Sequence, residues 1–227
     1  MSRLRLATID DVPSILAISN YYVRHSAANF AIEPESLDDW RRSYRETSET
    51  YPWFVAVDDA IGLRTLTVDG RLEGASDPKS PHPRPLSRGE RGEGRDTSRG
   101  SIVGFAKASP WKGRCAYAYS VEITVYIHPD AHRRGIGRLL YERLLATLKA
   151  QGYRTAFGGI ALPNEASVGL HQSFGMTCIG VFRRVGWKFD RWHDVGYWQA
   201  VLNDDPDAVP QKVRPVREVV ANDAQAL

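Results

Sequence analysis

The chain has 227 residues, 42% hydrophobic and 25% charged, a balance that suits one globular domain with a single core. Thirty basic residues against 27 acidic ones leave a net charge of +3, too even to argue for nucleic acid as the main partner. No run approaches the roughly 18 to 20 apolar residues of a membrane span. The opening Met1-Ser2-Arg3-Leu4-Arg5 lacks a signal-peptide core, and two cysteines, Cys115 and Cys178, suggest neither a disulfide framework nor a zinc site. The expectation is a cytoplasmic protein with reduced thiols, no metal and no membrane partner, its cysteines being small core or strand residues.

Residues 4–7 read as a short strand. Thr8 or Asp10 can cap the helix that follows, and Pro13 suits its first turn. Val12, Ile15, Leu16, Ile18, Ser19, Tyr22 and Val23 then carry an apolar stripe to about Tyr22. Ser36 is the expected cap of a second helix over 37–47. Tyr51-Pro52 breaks the chain before a strand, Trp53-Phe54-Val55-Ala56-Val57. The composition changes at about 60–100, and from Gly70 it is crowded with Gly, Pro, Ser and Arg. Such a stretch buries too little apolar surface to offset its ordering entropy, so a disordered insertion between two hairpin strands is expected.

Regular patterns resume with a strand at 102–108 and a long β-branched and aromatic strand at 117–127. A strong helix over 135–151 has Ile136, Leu139, Leu140, Leu144, Leu145 and Leu148 on one face and ends at Gly152. A strand at 155–162, a helix at 164–174 and strands at 176–185 and 192–202 follow. Residues 204–227 lose periodicity and are expected to fray. The order βααβ, insertion, ββαβαββ implies an α/β (α+β) domain over 1–203, a mixed sheet with helices on its faces.

The most informative segment is His132-Arg133-Arg134-Gly135-Ile136-Gly137-Arg138, between a strand and the strong helix. Gly135 and Gly137 let the backbone approach a ligand closely. The free N–H groups of the first helical turn form an anion site, and Arg133, Arg134 and Arg138 add positive charge, so a pyrophosphate fits here. A dinucleotide fingerprint requires a small residue where Leu140 stands, and the Gly-Lys-Ser/Thr of a P-loop is absent.

The turn resembles the coenzyme A loop Q/R-x-x-G-x-G/A of the GNAT superfamily. Asn164, Ala166, Gly175 and Met176 fit that superfamily's second landmark, with His171 where a Tyr is usual. More of the chain is similar to the phosphinothricin and methionine-sulfoximine N-acetyltransferases. The matches include Asn29-Phe30, Tyr51-Pro52-Trp53-Phe54-Val55-Ala56, Pro110-Trp111-Lys112-Gly113-Arg114, Glu122-x-Thr124-Val125-Tyr126, Leu162-Pro163-Asn164 and Trp192-His193-Asp194-Val195-Gly196-Tyr197-Trp198-Gln199. The insertion departs from that branch, whose members usually turn tightly there.

The resemblance implies a mostly antiparallel GNAT sheet with a splayed strand pair, acetyl-CoA as co-substrate, a small amino-acid-like amine as acceptor, and a homodimer. It makes Glu122 the general base, its pKa raised by partial burial in an apolar strand. His171 is placed near the thioester, to protonate the departing thiolate or assist deprotonation, or else to serve structure. Asn164 is expected to bond the pantetheine arm or cap its helix. Backbone groups of Val125, Tyr126 and Ile127 are expected to meet the cofactor, with Arg133, Arg134, Gly135, Ile136, Gly137 and Arg138 at its phosphates. Arg114 is the candidate for the acceptor's carboxylate or phosphinate. Phe30, Tyr117, Thr124 and Tyr126 are expected to complete the pocket. Competing readings are acetylation of another amine or a protein N-terminus, and a coenzyme-A-binding module without catalysis.

Overall fold

The structure is a computed structural model that describes residues 2–73, 100–205 and 207–223. Its elements are β1 (Arg3–Leu6), α1 (Val12–His25), α2 (Leu37–Thr47), β2 (Trp53–Val57), β3 (Ile102–Pro110), β4 (Ser120–Ile127), α3 (Ile136–Gln151), β5 (Thr155–Leu162), α4 (Glu165–Ser173), β6 (Thr177–Lys188), β7 (Arg191–Val201) and α5 (Val216–Asp223). The strands form one sheet in the order β1-β2-β3-β4-β5-β7-β6, antiparallel throughout except for the β4–β5 pair.

Strand alternation divides the core in two. On one face Trp53, Val55, Val57 and Phe105 pack beneath Ile15, Leu16 and Ile18 of α1 and Trp40 of α2. On the other, Phe54, Ala56, Ala106, Val121 and Ile123 meet Ile136, Leu140, Leu144 and Leu148 of α3. Strand β2, between β1 and β3, is therefore buried on both sides, which is why its sequence is apolar without alternation. Helix caps behave as their residue types require. The Ser36 hydroxyl accepts from the N–H of Asp39 at the start of α2, and Gly152 ends α3 in the left-handed region.

Several expectations are corrected. Cys115 and Cys178 are both exposed, so neither belongs to the core, although Cys178 is a strand residue of β6 as expected. Leu139 is 41% exposed, leaving the buried stripe of α3 to its neighbours. The strand expected from residue 117 starts at Ser120, because Cys115–Tyr117 forms a 3-10 turn.

The stretch expected to be disordered begins as folded chain. Leu66 bridges Leu72, the Asn20 amide donates to the Val68 carbonyl at 2.8 Å, and Arg24 pairs with Asp69 at 3.2 Å. Gly70 has φ +82° and lies against the α1 backbone, where a Cβ would stand 2.2 Å from the carbonyl carbon of Asn20. Only glycine fits there. The rest of that stretch, 74–99, lies outside the described residues.

The tail does not simply fray. Its helix α5 buries Val216 and Val219 against the α3 side of the sheet. The Gln151 side chain donates to the carbonyls of Thr50 and Arg214, at 2.9 and 2.8 Å, and so ties the tail to the β2 approach. Short-range periodicity misses this helix because only one narrow stripe of it is covered. Among the described residues, no helix is long and apolar enough to cross a membrane. Val216→Asp would place a carboxylate at a site only 1% exposed. The expected cost is on the order of 2 kcal/mol, a fall in Tm of roughly 4–8 °C. Thermal melting checks it, and an unchanged Tm would show that α5 is not docked.

Candidate active site

The site begins where the sheet fails to close. β4 and β5 pair only from Ser120↔Thr155 to Glu122↔Phe157. Beyond that point β4 stays paired with β3 as far as Ile127, and β5 stays paired with β7 as far as Leu162. The two inner edges therefore diverge, each presenting unpaired N–H and C=O groups. Gly158 and Gly159 stand at the point of divergence. The opening widens into a cavity of about 1180 Å³, reaching from the turn before α3 to α2.

The turn is shaped for an anion. Arg133 and Gly135 both have positive φ, 59° and 76°. Gly135 is the N-cap of α3 and offers no side-chain cap, so the N–H groups of the first turn stay available. Arg133, Gly135, Ile136, Gly137 and Arg138 line the cavity. Arg134 does not; its charge reaches Asp58, whose carboxyl is held low first by the Ser2 hydroxyl and the Ala60 N–H. His132 shares a hydrogen bond with the Tyr22 hydroxyl at 2.7 Å, and that hydroxyl donates to the Ile127 carbonyl at 2.6 Å. Arg64, from the folded start of the insertion, binds Asp130 through its guanidinium at 2.5 Å and its N–H at 3.0 Å. These bonds hold the Asp130 carboxyl at about 2, so the brace persists across the physiological pH range.

Glu122 is half-buried in the cavity wall. Its Oε1 lies beside Gly159, 3.6 Å from where a Cβ there would be. Burial pushes its pKa up, while Lys112 and Lys107 pull the other way. Thr124 and Tyr126 follow on the same strand face, and both line the cavity, as do Val125 and Ile127. The Tyr126 hydroxyl donates to the Ala28 carbonyl at 2.8 Å, fixing the loop that brings Phe30 into the wall. From the far side Lys188 donates to the carbonyls of Ser26 and Asn29, at 3.1 and 2.5 Å. Phe30 also covers Gly186 and packs on His193 at 5.9 Å, which gives the His193 ring a packing role.

Asn164 caps α4 by accepting from the Ser167 N–H at 3.1 Å, and it also lines the cavity. His171 sits about two turns on, 5% exposed. Its Nδ1 lies 2.7 Å from the Ser167 carbonyl, and its Nε2 lies 2.7 Å from the Tyr141 hydroxyl. Burial lowers the pKa of His171 and raises that of Tyr141, so both are neutral near pH 7. With Nδ1–H donated to the carbonyl, Nε2 accepts from the Tyr141 hydroxyl. Tyr141 lines the cavity and was not singled out from the sequence, where it reads as one more residue on the apolar face of α3. Lys107 and Trp40 also line the wall without having been expected there. Arg114 and Tyr117 are exposed and do not line this cavity within the single chain. Among the described residues no group of three or more His, Cys, Asp or Glu is placed to hold a metal.

The model of the acetyltransferase (GNAT) family matches residues 19–176, which include the divergent strands, the turn and α4. The chain belongs to that family. A phosphinothricin N-acetyltransferase of Streptomyces viridochromogenes is 33% identical over 216 residues, covering 95% of each chain. An L-methionine sulfoximine/L-methionine sulfone acetyltransferase of Pseudomonas aeruginosa is 28% identical over 205 residues, 89% of this chain and 95% of its own. Among solved structures, a phosphinothricin acetyltransferase from Sinorhizobium meliloti in complex with AcCoA superposes with a TM-score of 0.72 at 26% identity, covering 92% of this chain and 93% of that one. The protein is thus a GNAT N-acetyltransferase with a mixed α/β fold.

In this GNAT enzyme Gly158 bears directly on the His171–Tyr141 pair. A Cβ at Gly158 would stand 2.2 Å from His171 Nε2 and 2.7 Å from its Cδ2. The ring is held at both nitrogens and cannot swing away. Gly158→Ala is therefore expected to break the bond to Tyr141, costing on the order of 2 kcal/mol and roughly 4–8 °C in Tm. Calorimetric melting tests it; a variant as stable as the parent would show that the ring can relocate freely.

Proposed function

We propose that this enzyme transfers the acetyl group of acetyl-CoA to the free amine of a small amino-acid-like acceptor, of the phosphinothricin or methionine sulfoximine/sulfone type, with Glu122 as general base. The observation that carries this reading is the convergence of three features on one cavity: an unpaired strand edge, an anion-binding turn and a half-buried carboxylate. The names and coverage of the relatives support the acceptor class.

The residues present fit the cofactor. The first-turn N–H groups of α3, with Arg133 and Arg138, suit a pyrophosphate. The open edge of β4 at Val125, Tyr126 and Ile127 suits an extended arm carrying amide groups. When bound, the thioester supplies an activated acyl carbon and a thiolate leaving group.

The chain's own groups do the rest. The acceptor ammonium is a weak nucleophile until it loses a proton, and Glu122, ionised, takes it directly or through one water. A β4 N–H on the open edge donates to the carbonyl oxygen as charge develops there. The Tyr141 hydroxyl, held in place by neutral His171, provides the proton for the departing sulfur and is reprotonated, through solvent, by the second proton that the acceptor nitrogen sheds as the amide forms.

A base works only when ionised. Burial raises the Glu122 pKa, so activity is lost as pH falls through a value above the ordinary carboxylate range. Glu122→Gln is expected to lower kcat at neutral pH by about a hundredfold or more and to remove that group's inflection from the acidic limb. Calorimetric affinity for acetyl-CoA should survive. Unchanged turnover would exclude Glu122 from the chemistry.

The reading includes a homodimer. β6 is the end strand of the sheet, and Ile179, Phe182, Val185, Trp187 and Trp192 on the outer hairpin are each more than half exposed. Exposed large apolar side chains on an end strand favour burial against a second surface. Light scattering on the eluting protein is expected to give twice the chain mass, and Val185→Glu to shift it toward the monomer. A monomeric parent would overturn the dimer.

A further inference from the structure

One cation in the cavity has no part in the chemistry described above. Lys107 on β3 stands opposite Thr124 of β4, on the sheet face that also carries Glu122. Its ammonium lies 4.4 Å from the ring centroid of Trp40 and 4.5 Å from that of Trp53. The two indoles meet edge to face and form two sides of a box around Nζ. Indole faces attract the ammonium through their quadrupole and take up none of its N–H donors. Among the described residues, no carboxylate or carbonyl oxygen accepts a hydrogen bond from Nζ.

The other charged groups facing it leave its position open. Glu35 and Glu122 act on Lys107 only as charges at longer range, partly opposing the lowering of its pKa by burial. Asp39, on the same wall, is already engaged by Arg42 at 3.1 Å and by the Ser36 hydroxyl at 2.6 Å. Arg133 and Arg138 belong to the turn at the opposite end of the cavity. A largely buried ammonium without an anion is unfavourable unless something completes it.

An acceptor whose amine is at Glu122 extends away from the thioester slot, toward α2. We infer that Lys107 receives a side-chain oxyanion at that distal end, a phosphinate or carboxylate, and so gives the enzyme a preference for acceptors with an anionic side chain over neutral ones. The assignment rests on the acetyltransfer reading above and names the specificity-determining group within it. The aromatic box fixes Nζ in place, and its free donors supply charge-assisted hydrogen bonds to the oxyanion.

The test compares two acceptors on one enzyme: phosphinothricin, whose side chain ends in an anionic phosphinate, and methionine sulfone, whose side chain is neutral. Lys107→Met keeps the stem and removes the charge. The ratio of kcat/KM for phosphinothricin to that for methionine sulfone is expected to fall at least about tenfold, about 1.4 kcal/mol, chiefly through KM. Lys107→Arg, which keeps the charge, is expected to recover part of that ratio. Thermal melting and acetyl-CoA binding report whether each variant is folded. A ratio within about twofold of the parent's in both folded variants overturns the assignment and leaves the acetyltransfer reading standing. A parent enzyme that turns over neither acceptor overturns that reading and this assignment with it.

Discussion

The structure depends on two neighbouring strands that stop pairing. β4 and β5 share three residue pairs and then separate, although each remains bonded to its outer neighbour. Buried backbone groups without partners are costly, so an edge left open inside a fold must be met by water or by a ligand of extended shape. Gly158 gives its space to the His171 ring, and Gly159 gives its space to Tyr197 and Glu122. The opening, the carboxylate and the imidazole are thus one packing solution.

Around that opening the sheet sorts the chemistry by face. Residues 122, 124 and 126 of β4 and residues 105 and 107 of β3 point toward α1 and α2. Residues 121, 123 and 125 point the other way, into the α3 core. A one-residue slip would exchange the two sets. The register is held by β2, which is buried on both sides, and by the long β3–β4 ladder. The turn before α3 is held separately, by Tyr22 through the Ile127 carbonyl and by Arg64 through Asp130.

The first part of the insertion therefore has a structural role that its composition hides. Residues 68–70 lie against α1, and Arg64 reaches the turn before α3. Composition reports an average, and here one glycine at positive φ and two arginine–aspartate pairs outweigh it. The C-terminal segment shows the same effect: two buried valines and the side chain of Gln151 dock a helix that periodicity overlooks.

Read alone, the sequence determined those features that depend on neighbours along the chain. Ser36 as a cap, the bounds of α2, β2 and β5, the apolar face of α3 and the glycine turn before it follow from local geometry. Family resemblance added Glu122, His171 and Asn164, which the fold brings to one cavity. The tertiary structure alone decided that Tyr141 meets His171, that Lys107 enters a box of two tryptophans, and that Arg114 stays outside the cavity of the single chain. Those contacts join residues far apart in sequence. They depend on strand register and helix docking, which no local pattern encodes.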